Sequence, residues 1–400
     1  MTPSRLWLSG FLLLGLLFGL LGSLVVVWQY HIDADPQLIG LHFLFLNAGY
    51  VTAAMVCQSL TAVIAPRGLV RIACIASCVS LASLSLVAPP APAPWRLAAL
   101  AAIGLSAGTL GTALLYGAEG AFAIEPVRTT NRAGILFGCG CLLANSILAS
   151  SYFSGSPLLA ISLLCAVPII VLAAFTRSKQ SGSLSAPNPE QENVREMLRD
   201  LRSIATLLLS LLLFFQFGNE WAIAGWLPLF LIHRLGSNPA LAIATLGAYF
   251  LALMLGRLLA QRLLNRIPHR RLLIASISWA VCGFVLLTFA DSLTLAAVAV
   301  MIVGTGFAPI YPLLAERLDD RFSFHPGFYN GTISIAVTGA MSIPWLLGFV
   351  AASFGISYVM IPPALGSIIV LLLSLLLMFE AHLMKESAKG DDSARAAGAP

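Results

Sequence analysis

The sequence predicts an all-α membrane protein of twelve transmembrane helices in two six-helix bundles. Three observations carry this. Of 400 residues, 59% are hydrophobic and only 10% charged, against roughly 45–50% and about 25% in soluble domains, so the chain could not solvate its own surface. A bilayer crossing takes about 20 apolar residues, and twelve apolar stretches of about that length follow one another. Runs such as Leu207 to Phe217 and Ile368 to Leu377 do not alternate apolar with polar, which excludes the strands of a membrane β-barrel.

The first run, Leu6 to Trp28, follows Arg5 and has no small-residue cleavage site, so it reads as a retained helix rather than a signal peptide. The next five spans fall near 37–64, 69–88, 96–118, 132–153 and 157–175. The last six fall near 204–232, 239–264, 272–290, 293–315, 327–353 and 356–380. One long hydrophilic break separates the two sets. The chain therefore divides into a bundle over 1–175, a linker over 176–203, a second bundle over 204–380 and a tail over 381–400 expected to be disordered. Ser178 to Pro189, rich in Ser, Gly and Pro, has the composition of a flexible linker. Val194, Met197, Leu198 and Leu201 then make one apolar stripe at helical spacing. That stripe fits either a helix lying on the cytoplasmic membrane face or a solvated extension of the seventh span.

Orientation follows from the 22 Lys and Arg residues. With the amino terminus in the cytoplasm, 20 fall at or near the cytoplasmic side and only Arg96 and Arg234 fall outside. The positive-inside rule demands this bias, and a miscounted helix would have scrambled it. The expectation is a multi-pass protein of the plasma (inner) membrane with both termini cytoplasmic. Its neighbour is the lipid bilayer, with no nucleic acid and no obligate second subunit. The seven cysteines lie inside apolar runs and form no CxxC, the six histidines are scattered, and no Walker loop occurs. No metal, cofactor, ATP-driven step or enzymatic activity is expected.

The halves resemble each other at an offset of roughly 195–200 residues. Pro66-Arg67-Gly68 follows the second span, and Arg266 to Arg271 follow the eighth. Glu125-Pro126-Val127-Arg128 after span four is answered by Glu316-Arg317 and Asp319-Asp320-Arg321 after span ten. Two parallel six-helix repeats joined by a cytoplasmic linker are the plan of the major facilitator superfamily, which the whole chain resembles. Gly218-Asn219-Glu220 with Gly225-Trp226-Leu227-Pro228, and Gly304-Thr305-Gly306-Phe307-Ala308-Pro309-Ile310-Tyr311-Pro312, resemble signatures of its fucose and glucose permease-like branch. Gly256-Arg257-Leu258-Leu259-Ala260 resembles the start of the superfamily loop after span eight, without its Asp, since Asn265 stands there and Ala65 in the first copy. The resemblance implies a secondary transporter of sugar-like solutes. It does not carry over the fucose permeases' proton-coupling pair: span one holds no acid and Thr112 aligns with the span-four Glu.

Glu220 is the only acid near the centre of any predicted span, and an ionisable side chain at that depth costs about 2.5–3.5 kcal/mol on insertion scales. Gln216, Asn219, Ile223, Trp226 and Leu227 share its side of a 3.6-residue helix, with Trp221 pointing elsewhere. The stripe fits a water-filled cavity where amides and a carboxylate bind hydroxyls and Trp226 stacks on a ring. The alternative is a protonated Glu220 bonded to a neighbouring backbone. Asn47 and Tyr50 in span two, Asn145, Tyr249, Tyr311 and Asn330 are further candidate ligands, with interhelical hydrogen bonding as their alternative. The prolines and glycines of span ten predict a bent helix. Glu119, Glu125, Arg128, Arg257, Arg317 and Asp320 are candidates for a cytoplasmic gate, or a solvated loop.

These residues point to a small polar solute, sugar or polyol-like, because no Lys or Arg appears away from the span ends. The second reading is an exporter of amphipathic or cationic compounds, which one acid beside aromatics also suits. A carboxyl group away from water favours its neutral form, so Glu220 is the candidate for proton coupling. Sodium is possible, but a single acid makes a thin site for a hard cation.

Overall fold

The structure is a computed structural model, and it describes residues 3–32, 35–177, 204–264, 266–314 and 326–397. Among these the chain is helical with no strand, and twelve helices are long and apolar enough to cross a membrane. Spans 1–6 are Arg5–Val27, Pro36–Leu60, Pro66–Leu86, Ala93–Gly117, Arg128–Tyr152 and Leu158–Arg177. Spans 7–12 are Leu207–Leu235, Pro239–Leu263, His269–Thr288, Leu293–Leu314, Asn330–Phe354 and Ile356–Glu380. They are the twelve runs read from the sequence, with ends moved by a few residues. The apolar stripe of Val194, Met197, Leu198 and Leu201 lies outside the described residues.

Helix starts follow local chemistry. Asp35 accepts from the backbone N–H of Gln37 and Leu38, both at 3.1 Å, ahead of Pro36. Asn238 caps span 8 through the N–H of Ala240 ahead of Pro239, and Ser292 caps span 10 through that of Leu295. Proline suits the first turn because its missing N–H would find no intrahelical acceptor there. In span 10 the regular helix Leu293–Phe307 stops just before Pro309, and a turn at Ala308 and Pro309 leads into helix again from Ile310. This is the predicted bend. At the carboxyl end the last helix runs on from Ile361 to Ala397, beyond the end of span 12; Ala, Glu, Lys and Arg in this stretch are good helix formers.

Span 1 packs on spans 4, 5 and 6, span 2 on 4, and span 3 on 4 and 6; the same partnerships recur as 7 on 10, 11 and 12, 8 on 10, and 9 on 10 and 12. The two sets of six are thus parallel repeats. They meet along spans 2 and 11 and along spans 5 and 8, with spans 1 and 7 closing one end. We call the end holding Arg5, Arg67, Arg177 and Arg262 the basic end, and the opposite one the far end.

The far end is sealed by backbone-close crossings. A Cβ on Gly40 of span 2 would lie 2.8 Å from the Trp345 carbonyl oxygen, and one on Gly348 of span 11 would lie 2.6 Å from that of Pro36. Gly22 of span 1 seats against the Ala224 carbonyl of span 7. The Phe43 ring fills the gap over Gly225 and stacks on Trp226, centroids 6.4 Å apart. Near the basic end, Thr112 donates to Asn330 at 3.2 Å and Asn330 to the Ala54 carbonyl at 3.0 Å, which ties spans 4, 11 and 2.

Candidate functional site

Between the two sets of six lies a partly open cavity of about 120 Å³. Span 1 lines it with Phe11 and Leu14, span 5 with Thr130, Gly134 and Phe137, and span 7 with Phe217, Glu220 and Trp221. Arg257 of span 8, Tyr311 and Pro312 beyond the break in span 10, and Ile333 of span 11 complete the wall, with Leu115 and Phe122 nearer the basic end. Because Phe11, Leu14 and Thr130 lie on the basic-end halves of their spans, the cavity occupies that half of the bundle. An aromatic cluster roofs it: Phe18 lies 5.3 Å from Trp221 and 6.1 Å from Phe137, and 5.2 Å from Tyr50 behind it.

Glu220 is partly accessible to this space, and Arg257 is 8% exposed. The Arg257 guanidinium crosses from span 8 to span 5, where Nη1 donates to the Gly134 carbonyl. It lies flat over that glycine. A Cβ there would sit 2.8–3.1 Å from Nη1, Cζ and Nε, so the close approach requires a residue without a side chain. Asn131 donates to the Arg257 carbonyl at 2.9 Å and fixes the same crossing. The Nε of Arg257 is buried without a hydrogen-bond partner. Among the described residues no ion pair joins Glu220 to Arg257; Arg128 pairs instead with Glu125, at 3.0 Å.

The face of span 7 that meets the cavity differs from the one read from the sequence. Phe217, Glu220 and Trp221 line it, whereas Gln216, Asn219 and Trp226 are fully buried within the protein. At about 100° per residue, the observed face is centred roughly 100° around the helix from the predicted one, with Glu220 on the border of both. Trp221 therefore points into the cavity. Trp226 points away, with its Nε1–H donating to the Pro344 carbonyl at 3.0 Å. Asn219 faces Gly366 of span 12, and the amide atoms of Gln216 and Asn219 have no hydrogen-bond partners.

Of the other candidates, Tyr311 lines the cavity, its ring against Phe217 at 5.4 Å. Tyr249 is buried, and its hydroxyl donates to the Glu220 carbonyl at 3.3 Å. Asn47 donates to the Phe43 carbonyl within its own helix, and Tyr50 packs behind Phe18 against span 4. Asn145 accepts from Ser23 at 2.5 Å and donates to the Ile243 carbonyl at 3.2 Å, tying spans 1, 5 and 8. Asn330 makes the tie described above. Among the candidate gate residues, Glu119 is half-buried and starts a short helix to Ile124, and Glu125 and Arg128 are paired with each other. Arg257 is in the cavity wall instead, and Arg317 and Asp320 lie outside the described residues. No Lys or Arg was expected away from the span ends; Arg257, near the basic end of span 8, nevertheless reaches the cavity.

The family model described as Major Facilitator Superfamily matches residues 6–343 and again 209–398. An MFS-type transporter of Yersinia pestis is 24% identical over 371 residues, 91% of this chain and 91% of its own. The fold is similar to that of the E. coli fucose:proton symporter, with 17% identity over 94% of this chain and 98% of that one and a TM-score of 0.66. It is also similar to the E. coli xylose transporter in a partially occluded inward open conformation, with 14% identity over 94% and 96% of the two chains and a TM-score of 0.73.

Proposed function

The chain belongs to the major facilitator superfamily, and from that premise we propose a secondary transporter that moves a small polar, sugar- or polyol-like solute by alternating access, coupled to protons through Glu220. The observation that carries this reading is the make-up of one cavity between the repeats: a carboxyl, a guanidinium, a phenol and a threonine hydroxyl set among aromatic faces. Sugar rings present hydroxyls at their edges and C–H groups on their faces. Glu220, Tyr311 and Thr130 suit the first, while Trp221 and Phe217 suit the second.

In this reading Asn145 and Asn330 hold helices together, and Gln216, Asn219, Trp226, Asn47, Tyr50 and Tyr249 support the site from behind its wall. In this reading the basic end faces the cytoplasm, an orientation that the distribution of Lys and Arg supports, and the membrane is the plasma (inner) membrane. The reading needs no second subunit, because the two repeats of one chain supply the cavity's lining. A carboxyl group in a site screened from bulk water exchanges a proton more readily than it binds sodium without a second acid. The six aromatic side chains among the lining residues favour a second reading, transport of amphipathic or cationic compounds.

Glu220→Gln tests the coupling in proteoliposomes of the purified protein. It should abolish gradient-driven accumulation while counterflow exchange persists. Concentrative uptake by the variant would remove Glu220 from the coupling role, and loss of exchange as well would make it a substrate ligand.

A further inference from the structure

We infer that the substrate carries a carboxylate, and that Arg257 is the group that binds it: the solute is a sugar acid rather than a neutral sugar. The inference rests on the transport reading above and adds the charge of the cargo. Three features of Arg257 carry it. The guanidinium lines the cavity while more than nine-tenths of the side chain is buried. Among the described residues the guanidinium's only hydrogen bond is to the neutral Gly134 carbonyl, and Nε has no partner. Its position is built, through the bare glycine beneath it and the Asn131 bond to its backbone. A guanidinium presents five donors in a fork that matches a carboxylate, and most of that fork is unused.

Charge balance points the same way. An empty cavity with ionised Glu220 and Arg257 sums to zero. A neutral sugar bound beside protonated Glu220 would leave an unbalanced cation in a site away from water, where unpaired charge is costly. A carboxylate substrate restores the balance: it becomes the counter-ion of Arg257 while Glu220 holds the proton. One substrate anion then moves with one proton, and the translocated charge is zero. Among the described residues, the other titratable groups around Glu220 are Tyr249 on span 8, Tyr311 on span 10 and Cys141 on span 5. None of these is a cation that could replace Arg257.

The test uses the full chain in proteoliposomes, with D-glucuronate, D-galacturonate and D-gluconate against D-glucose and xylitol. At least one acid should be taken up under an imposed pH gradient, at a rate unchanged by potentials clamped with potassium and valinomycin. The neutral sugars should bind at least about tenfold more weakly. Arg257→Gln should weaken the acid at least about 30-fold, and Arg257→Lys should retain part of the preference. Equal handling of glucose and the acids, or uptake of an acid that responds to potential, overturns this inference and leaves the sugar-transport reading standing. No response to any sugar together with transport of lipophilic cations overturns both. If Arg257→Gln does not fold, the potential dependence of the unaltered protein still decides.

Discussion

The far-end seal gives the sharpest handle on alternating access, because backbone forms it. Consider Gly40→Ala, the addition of one methyl group. Its Cβ would lie 2.8 Å from the Trp345 carbonyl oxygen, 3.3 Å from the Trp345 Cα and 3.5 Å from the Gly348 Cα. These atoms belong to the span 11 backbone, so no side chain can swing aside. Ordinary contact begins near 3.4 Å, so spans 2 and 11 must part by about 0.6 Å. Overpacking of this kind costs about 1–3 kcal/mol, and only a state with the far end closed bears it. The equilibrium should therefore move toward a state with that end parted by roughly 5- to 150-fold. Spin labels at the exposed Ile32 and Asp291, in a chain with its seven cysteines replaced, report this by double electron–electron resonance as growth of a longer-distance population. Gly120→Ala is the control, since nothing lies within 4 Å of a Cβ there. An unchanged distance distribution in Gly40→Ala, with the cost appearing only as a lower melting temperature, would refute the reasoning.

Three further outcomes are expected. Trp221→Ala should raise KM for the transported solute between about two- and tenfold by removing one aromatic face; Trp226→Phe should leave KM unchanged and cost about 1 kcal/mol of stability through the lost bond to Pro344. His31, in the far-end turn outside the spans, titrates below its ordinary 6.5, first because of burial and second because of His233. Its neutral form is thus favoured in the fold, so its contribution to stability is present above about pH 6.5 and is lost as the pH falls further. Thermal unfolding of His31→Gln should accordingly fall less steeply than that of the unaltered protein between about pH 7 and pH 5.

The twelve spans were legible because the bilayer imposes a coarse requirement, about 20 apolar residues per crossing, and the Lys and Arg pattern checks the count independently. The end of the last helix was less legible, because Ala, Glu, Lys and Arg following an established helix continue it without a new nucleation cost, and that helix runs to Ala397. The asparagines were legible only as pairs of alternatives. Asn145 and Asn330 bond across three helices each, and no property of either sequence neighbourhood separates such a tie from a ligand.

Glu220 was found from its cost in a membrane, and that cost depends on depth alone. Its neighbours depend on azimuth. A span bounded by protein on several sides has more than one polar face, and Gln216, Asn219 and Trp226 make the more polar one. The observed cavity takes the other, Phe217 and Trp221, because span 7 must also present Ala224 to Gly22, which fixes its rotation at the far end. Arg257 was read as a gate residue rather than a cavity group for a complementary reason: a sequence gives the depth of a Cα, whereas a long cationic side chain places its charge well away from its own backbone. Gly134, an unremarked glycine on another span, decides where that charge rests. The pairing of an acid and a cation in one cavity is therefore a property of two helix rotations and one missing side chain, which no pattern along a single span contains.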